Sequence, residues 1–427
     1  MPTYTPVIDN GGELYNVKAY GAVGDAVNSP GIDDAPAIGA ALAAARKTGE
    51  YGTPSGQGQP VLLPSGVYRV DTPLNLVDRQ MNLRGSGPHQ SVLRGNTGGY
   101  GWGVLIDMTG AGFSSLRDLS LETRGMQSKS ALGVLQARRN EPNADALCNN
   151  LSRVTVRMEH VATANANQGT FAVVNVGCET TTYDSVYLLA DVGLFIGSGN
   201  NLSRPGDAPF AAVSPFAGAV LPNASMSVVS VRGTSNIVGI SGPAVRIAGG
   251  ADIDLGDSAL LSQAFLQTGV PTYPYAIEVL AQTSNLRYSG SMENFSSLLW
   301  IGTNQMVVGL MLDCYAAHNG GTQLDRPRIV MGAGSRITGG RINVVPNPGT
   351  MGGTLIKAQG PGVLVEGIDI DLYAQGIDLT AGGALKSCVI RSTRTLAETM
   401  AGIVAGTRTG NVILASDGVH IDAVTTL

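Results

Sequence analysis

The sequence predicts an all-β fold, a parallel β-solenoid, on three observations. A short phrase recurs from residue 244 to the C-terminus: an apolar-x-apolar triplet, a turn of small or polar residues, and a second alternating apolar run. The first residues of successive triplets are 22 to 32 positions apart, a period typical of stacked repeats. The 58 glycines supply tight turns, and no helix-length segment separates the apolar runs.

Each triplet except Leu355–Lys357, which ends in a lysine, places its middle residue between two apolar neighbours, so the middle side chain is expected to point away from the core. Because the coils stack, outward residues at equivalent positions form ladders with a spacing of about 4.8 Å along the surface. The functional question is therefore which outward positions align. The triplets are Val245–Ile247, Ile277–Val279, Leu299–Ile301, Ile329–Met331, Leu355–Lys357, Ile377–Leu379 and Ile403–Ala405.

The segment before residue 70 departs from the repeat and contains the clearest helix signal in the chain. Asp33 or Asp34 is placed to cap this helix, Pro36 suits its first turn, and Gly49 ends it. The apolar face is small, as expected of a helix that covers the open end of a solenoid. Its members are Ile38, Ala41, Leu42 and Ala45.

Three stretches in this opening carry a family resemblance. They are Asn16–Asp25, the Asp33-Asp34 pair followed by Ala37-Ile38, and Val61–Tyr68. In this order they resemble the opening of pectate-lyase-like right-handed β-helix proteins, a group that includes phage tailspikes and polysaccharide hydrolases and lyases. The resemblance implies a single-stranded right-handed parallel β-helix with a short N-terminal capping helix. We therefore expect a strand–helix cap over residues 1–70 and the β-helix over residues 71–427.

Two segments are expected to leave the coils as surface excursions. Residues 123–150 are more polar than their surroundings, and residues 200–224 contain four prolines, which are incompatible with a continuous regular strand. Regular strands are predicted between the two excursions. They are Leu151–Val156, Phe171–Val176, Tyr183–Leu189 and Gly193–Ile196.

Composition argues against several classes of function. A net charge of -5 without a Lys/Arg run gives no electrostatic footprint for nucleic acid. The N-terminus has no basic segment followed by an apolar core, and no apolar run is long enough to span a bilayer. The sequence therefore predicts neither a signal-bearing secreted protein nor a membrane protein. The four cysteines lack metal-ligand spacing, so we expect buried free thiols and neither a metal nor another cofactor.

Charged and aromatic residues gather on three successive coils, and this inventory suits a carbohydrate ligand. Asp252 and Asp254 are two positions apart on one strand and therefore share a face, at roughly 6.5 to 7 Å between their Cα atoms. Arg287 lies on the equivalent strand of the next coil. The middle positions of three successive triplets are Arg246, Glu278 and Trp300.

Glycoside hydrolysis needs one carboxylic acid to protonate the leaving oxygen and a second carboxylate to attack the sugar or activate water. The candidate catalytic residues are Asp252, Asp254, Glu278, Glu293 and Asp313. An aromatic ring can stack on a sugar, and a guanidinium can hold a substrate carboxylate. The candidate substrate-binding residues are Arg246, Arg287 and Trp300.

Three alternatives stay open at this point. The charges can be solvated surface residues, with Arg246–Glu278 and Asp254–Arg287 as cross-coil ion pairs of small value. A polysaccharide lyase acting by β-elimination needs a base, for which Arg287, Tyr288 and His318 are available. A non-catalytic glycan-binding adhesin of the same fold needs no acid pair.

The resemblance to tailspikes implies a virion-tail protein that binds and depolymerises a bacterial surface polysaccharide, whether capsule, lipopolysaccharide or exopolysaccharide; an extracellular location is the alternative. It also implies a homotrimer. The middle residues of three later triplets, Val330, Ile356 and Val404, are expected to form an outward apolar stripe that contacts a neighbouring subunit.

Overall fold

The computed structural model describes most of the chain, and all structural statements below concern that part. The described residues are 7–9, 12–27, 31–45, 58–76, 81–95, 103–123, 131–137, 148–158, 170–197, 227–250, 252–263, 273–316, 327–346, 353–373 and 375–423. The chain divides into two compact units, Met1–Val238 and Gly239–Leu427, which are treated separately.

The first unit contains a 3-10 helix (Val17–Tyr20), helix α1 (Ala35–Ala45) and strands that alternate with short turns. The strands are β1 (Val7–Asp9), β2 (Gly12–Asn16), β3 (Pro60–Leu63), β4 (Gly66–Val70), β5 (Leu74–Asn75), β6 (Asn82–Gly85), β7 (Ser91–Gly95), β8 (Gly103–Asp107), β9 (Ser115–Thr123), β10 (Ala131–Ala137), β11 (Asn150–Arg157), β12 (Thr170–Val176), β13 (Thr181–Asp184), β14 (Tyr187–Ala190), β15 (Val192–Gly197) and β16 (Val228–Arg232), with β17 (Asn236–Gly239) at the end.

The second unit contains helix α2 (Leu396–Gly402) and the remaining strands of the chain's described part. The strands are β18 (Val245–Ala248), β19 (Asp252–Asp254), β20 (Ala259–Ser262), β21 (Tyr275–Val279), β22 (Thr283–Ser284), β23 (Leu286–Tyr288), β24 (Ser291–Glu293), β25 (Ser297–Ile301), β26 (Met306–Ala316), β27 (Ile329–Met331), β28 (Arg336–Pro346), β29 (Thr354–Ala358), β30 (Leu364–Leu372), β31 (Gly376–Lys386), β32 (Val389–Ser392), β33 (Ile403–Thr409), β34 (Val412–Leu414) and β35 (Val419–Ile421).

Parallel pairing between equivalent strands builds the core of the first unit. One inward column, whose members are each at most 2% exposed, runs through Val61, Leu83, Leu116, Leu151, Tyr183 and Val231. Strands β3 and β4, which lie within residues 1–70, pair with β6 and β7 in this way. Stacked strands therefore already begin within the segment that the sequence assigns to the cap.

The second unit repeats this arrangement, in the register that the triplets predict except at Leu355–Lys357. Its longest inward column runs through Val245, Ile277, Leu299, Ile329, Ile356, Ile377 and Ile403, each at most 4% exposed. Only the last pair, β34 with β35, is antiparallel among the described strands of this unit. The predicted fold class, an all-β, single-stranded right-handed parallel β-helix with a short N-terminal capping helix, is confirmed.

Helix α1 begins at Ala35 and buries the four residues predicted for its apolar face. Two neighbouring carboxylates organise its start. Asp33 accepts hydrogen bonds from the amides of Ala35 and Asp71, at 3.1 Å each. Asp34, which is 1% exposed, accepts from the amides of Val23 and Gly24, and its burial raises the pKa of this carboxyl. The Asp33-Asp34 pair thus connects the turn at Gly24-Asp25 and the start of helix α1 to the first coil through hydrogen bonds.

The predicted excursion at residues 123–150 is corrected in part. Strand β10 lies inside it, pairs in parallel with β8 and β12, and buries its apolar residues Leu132, Val134 and Leu135. The remainder of that segment, apart from its two ends, and the whole predicted loop at 200–224 lie outside the described residues. Three of the four strands predicted between the two excursions are confirmed as β11, β12 and β15. The fourth, Tyr183–Leu189, is divided into β13 and β14 by a turn at Ser185, whose φ is 54°.

The predicted outward stripe of Val330, Ile356 and Val404 is wrong. The ladder register shifts between Thr354 and Ile356, so the β-bulge at Leu355 turns both Leu355 and Ile356 inward, at 0% exposure. Lys357 then takes the outward position opposite Val330. Val330 is itself only 2% exposed, and Val404 alone is exposed, at 45%. No continuous apolar stripe forms from these three residues.

The expectation of buried thiols holds for Cys178, Cys314 and Cys388, but Cys148 is exposed. Cys148 lies in a turn before β11, with φ of 51°. It is therefore not one of the inward-facing residues of a strand. In the part of the chain that the structure describes, no helix has the length and apolar character needed to cross a membrane.

Adjacent glycines in β28 offer a matched test of the coil geometry. Gly340 has φ of 115°, and a Cβ there would lie 2.1 Å from the Leu310 carbonyl oxygen of the preceding coil. Gly339, at φ of 69°, has no atom within 4 Å of its Cβ position. We expect Gly340→Ala to lower the free energy of unfolding by about 3–5 kcal/mol through strain and overpacking. Gly339→Ala, the control, loses about 1 kcal/mol for the left-handed backbone.

Chemical denaturation of both variants measures this difference. Equal losses for the two glycines would contradict the close approach of the β26 and β28 backbones at Leu310.

Candidate functional site

Three of the predicted site residues form one outward column in the second unit. Arg246 on β18 pairs with Glu278 on β21, and Glu278 pairs with Trp300 on β25, in parallel register. The apolar neighbours of each residue point into the coil, as the alternation of the triplets requires. The three side chains are therefore one coil apart from each other.

Glu278 is the centre of this column and is completely buried. Its Oε2 accepts a hydrogen bond from Nε of Arg246 at 2.5 Å, and its Oε1 accepts one from the Tyr273 hydroxyl at 2.6 Å. The Arg246 side chain is 15% exposed and that of Glu278 0%. The expected cross-coil ion pair thus exists, but as a shielded pair instead of a solvated one.

Aromatic rings adjoin the same column. Tyr275 and Trp300 stack with their centroids 5.7 Å apart and their planes 15° apart. Tyr273 meets Tyr275 edge-to-face, with centroids 5.9 Å apart. All three rings are partly exposed, so one contiguous aromatic surface lies beside the Arg246–Glu278 pair.

The acid pair occupies the next strand of the coil. Asp252 and Asp254 flank the buried Ile253 on β19, and both side chains are half-buried on the outward face. Arg287 is paired in register with Asp254 and is exposed. Among the described residues neither aspartate nor Arg287 takes part in an ion pair, so the expected Asp254–Arg287 bridge is not formed.

The two aspartates differ in their surroundings. Oδ1 of Asp254 accepts a hydrogen bond from the Gly256 amide at 2.9 Å, which fixes its orientation. Oδ1 of Asp252 is buried and has no hydrogen-bond partner in the described part of the chain. A buried oxygen without a partner is unusual in a folded protein and requires an explanation, such as an ordered water or a ligand.

The structure separates the other two candidate acids from this pair. Glu293 is half-buried on β24, opposite Leu261. Asp313 is exposed on β26, where its Oδ1 accepts a hydrogen bond from the Asn343 side-chain amide at 2.7 Å. One coil further, Arg341 pairs with Asp371 at 2.9 Å, and this hydrogen bond raises the pKa of the guanidinium.

The bases available to a lyase are less favourable than the sequence suggests. Tyr288 belongs to an inward column, is 1% exposed, and donates its hydroxyl to the Ser291 carbonyl. Burial raises the pKa of this phenol, which opposes the loss of its proton. His318 lies outside the described residues, and Arg287 remains on the outward face.

Comparison with known proteins places the fold in context. No protein-family model matches the chain, and no curated protein matches it in sequence. Among solved structures, the A-module of mannuronan C-5 epimerase AlgE6 from Azotobacter vinelandii is 17% identical with a TM-score of 0.46, and the match covers 95% of this chain and 100% of that chain.

Two further solved structures are similar at the same level. Tailspike protein 2 from Escherichia coli O157:H7 bacteriophage CAB120 is 14% identical with a TM-score of 0.48; the match covers 85% of this chain but 43% of the tailspike. The catalytic unit of a GH87 α-1,3-glucanase from Streptomyces thermodiastaticus is 14% identical with a TM-score of 0.48, over 97% of this chain and 69% of that chain. These similarities concern the fold alone.

Within the described residues, no group of three or more His, Cys, Asp or Glu side chains is arranged to hold a metal ion.

Tyr273 and Tyr275 are site residues that the sequence pattern did not reveal. They immediately precede a triplet, where strict alternation would send Tyr275 inward with Ile277. The signal that could have found them is the Tyr273-Pro274-Tyr275 cluster, one coil before the outward Trp300. Later members of the outward column are Lys357 and Asp378, and hydrogen bonds from Thr380 lower the pKa of the Asp378 carboxyl.

Proposed function

We propose that this chain is a tailspike-like protein that binds a bacterial surface polysaccharide and cleaves it by glycosidic hydrolysis. The observation that carries the proposal is the pair of outward aspartates, Asp252 and Asp254, which no cation neutralises in the described part of the chain. Their Cα atoms are two strand positions apart, at roughly 6.5 to 7 Å. This spacing suits two carboxyl groups that must flank one glycosidic bond.

The reaction assigns complementary roles to the pair. One carboxylic acid protonates the leaving glycosidic oxygen while the other carboxylate attacks the anomeric carbon or removes a proton from the attacking water. Arg287, one coil away and exposed, is positioned to bind an anionic or hydroxyl group of the substrate. Trp300 supplies a ring on which a sugar can stack.

The phage context rests on the opening of the chain. Residues 16–68 resemble the opening of the pectate-lyase-like β-helix group, and the Asp33 and Asp34 contacts give this motif a defined structural role. A virion-tail location and a homotrimeric assembly are parts of the same proposal. Light scattering of the purified protein tests the assembly: a mass three times that of one chain supports it, and a monomer mass opposes it.

Digestion of purified bacterial polysaccharides tests the activity. We expect incubation with a panel of capsular polysaccharides, lipopolysaccharides and exopolysaccharides to release new reducing ends from at least one glycan. Heat-denatured protein is the control. A glycan that the protein retains but never fragments would overturn the enzymatic proposal in favour of an adhesin.

A further inference from the structure

We propose that Tyr273, Tyr275 and Trp300 form a platform for the apolar face of a sugar ring, and that Glu278 is the positioning residue that holds this platform. The inference rests on the proposed function. It gives Glu278 a role other than proton transfer, and it adds two tyrosines to the glycan-binding surface.

The aromatic geometry supports a binding platform. Tyr275 and Trp300 are stacked within 15° of parallel, so each ring covers part of one face of the other and the two form a single aromatic stack. Tyr273 closes one side of it through an edge-to-face contact with Tyr275. Because each ring is partly exposed, the surface is open to a ligand and is not part of the coil interior. Large, rigid aromatic surfaces with polar tips suit ligands that are apolar on one face and hydroxylated at the edges.

The backbone explains how Tyr275 reaches this surface. The amides of Leu298 and Leu299 both donate to the Arg328 carbonyl, which is the hydrogen-bond pattern of a β-bulge. Both leucines are consequently buried at 0% exposure, and the alternation reverses before them. Tyr275 pairs with Ser297, the residue on the N-terminal side of this bulge. The bulge therefore brings Tyr275 to the same side as Trp300.

The contacts of Glu278 support a positioning role. Both carboxylate oxygens are engaged, one by Arg246 and one by the Tyr273 hydroxyl, and no part of the side chain is exposed. A substrate cannot reach this carboxylate while Tyr273 covers it. Its hydrogen bond with Tyr273 instead fixes the ring that packs against Tyr275.

The fold itself does not require a charge at this position. Two coils further along the same column, Val330 occupies the equivalent outward position and is 2% exposed. An apolar side chain thus fits the column, and a buried ion pair is often no more stabilising than an apolar replacement. We infer that the Arg246–Glu278 pair is present for the orientation of Tyr273 and the platform.

Trp300 emission and glycan binding test the proposal together. The chain has two tryptophans, so Trp102→Phe isolates the emission of Trp300. In that background Tyr273→Phe, Glu278→Ala and Glu278→Gln are compared, using the polysaccharide that the parent protein retains most strongly. Controls are Tyr315→Phe, an exposed outward tyrosine, and Glu366→Gln, a half-buried carboxylate paired with Lys386.

Tyr273→Phe and Glu278→Ala are expected to shift Trp300 emission and to raise Kd and KM about tenfold, which corresponds to about 1.4 kcal/mol. The value of kcat is expected to stay within about threefold of the parent, since the rings contribute binding more than chemistry. Glu278→Gln keeps an acceptor for Tyr273 and should fall between the parent and Glu278→Ala. The two controls should match the parent in every readout.

Two results would overturn the proposal. One is parent-like affinity in both Tyr273→Phe and Glu278→Ala. The other is a loss of kcat at unchanged KM in Glu278→Gln, which would make Glu278 a catalytic residue. If the parent protein retains no polysaccharide, the proposed function and the glycan platform both fail. The emission comparison needs no glycan and still decides separately whether Glu278 holds the rings.

Discussion

Replacing Asp254 or Asp252 with alanine is expected to lower kcat for polysaccharide cleavage by about 10²–10⁴-fold. Each substitution removes one of the two carboxyl groups that hydrolysis needs at the glycosidic bond. Both side chains are outward and half-buried, so their loss should leave the coil intact. Initial rates of reducing-end release measure the effect, and circular dichroism melting verifies that the variants are folded.

Asp257 provides the matched control for this experiment. It lies on the turn that follows the acid pair, is exposed, and accepts a hydrogen bond from the Ser289 hydroxyl at 2.5 Å. Asp257→Ala should retain the parent rate within about threefold, since ordinary surface substitutions have small effects. Full activity in both Asp252→Ala and Asp254→Ala would place the catalytic acids elsewhere, with Glu293 and Asp313 as the remaining candidates.

Arg246→Met is expected to lower the free energy of unfolding of the second unit by about 3–5 kcal/mol, because it leaves a buried carboxylate without its cation. Glu278 has no exposed surface, so water cannot replace the guanidinium without local opening. Urea denaturation followed by Trp300 emission in the Trp102→Phe background measures this loss.

Two control variants distinguish the stability lost with the buried Arg246–Glu278 pair from the stability lost with any surface charge. Arg287→Met removes an exposed arginine one coil away, on the neighbouring strand stack, and should change the free energy of unfolding by less than about 0.5 kcal/mol. The double replacement Arg246→Met with Glu278→Met should recover most of the stability, since no unpaired charge remains. Equal losses for Arg246→Met and Arg287→Met would mean that the Arg246–Glu278 pair is solvated.

Much of the coil register could be predicted from sequence because side-chain alternation and period are local properties. The column from Val245 through Ile277 to Leu299 follows directly from the spacing of the triplets. The same spacing places Arg246, Glu278 and Trp300 on consecutive coils. Neither inference requires knowledge of distant contacts.

Two errors of side-chain direction share a physical cause, which is that a β-bulge cannot be recognised in a short apolar run. Leu355 and Ile356 are equally apolar, so the sequence could not show that both point inward and that Lys357 is the outward residue. A similar bulge at Leu298 and Leu299 brings Tyr275 to the outward side against the expected alternation.

The repeat pattern also cannot predict whether an outward side chain is exposed or buried. Glu278 and Val330 occupy the same column as the exposed Lys357, yet both are buried. What covers a side chain depends on residues distant in sequence, such as the Tyr273 hydroxyl on Glu278. The assignment of Glu278 as a catalytic acid therefore stays a prediction, and its contacts favour a positioning role.

Mass spectrometry of the fragments from a susceptible polysaccharide tests glycosidic hydrolysis most directly. Hydrolysis adds the elements of water across each cleaved bond, whereas β-elimination adds none and leaves an unsaturated, ultraviolet-absorbing sugar. Cleavage that depends on Asp252 and Asp254 predicts saturated oligosaccharides whose masses equal whole repeats plus one water. Unsaturated fragments lacking that water, or the absence of fragments from a glycan that the protein binds, would contradict hydrolysis by this pair.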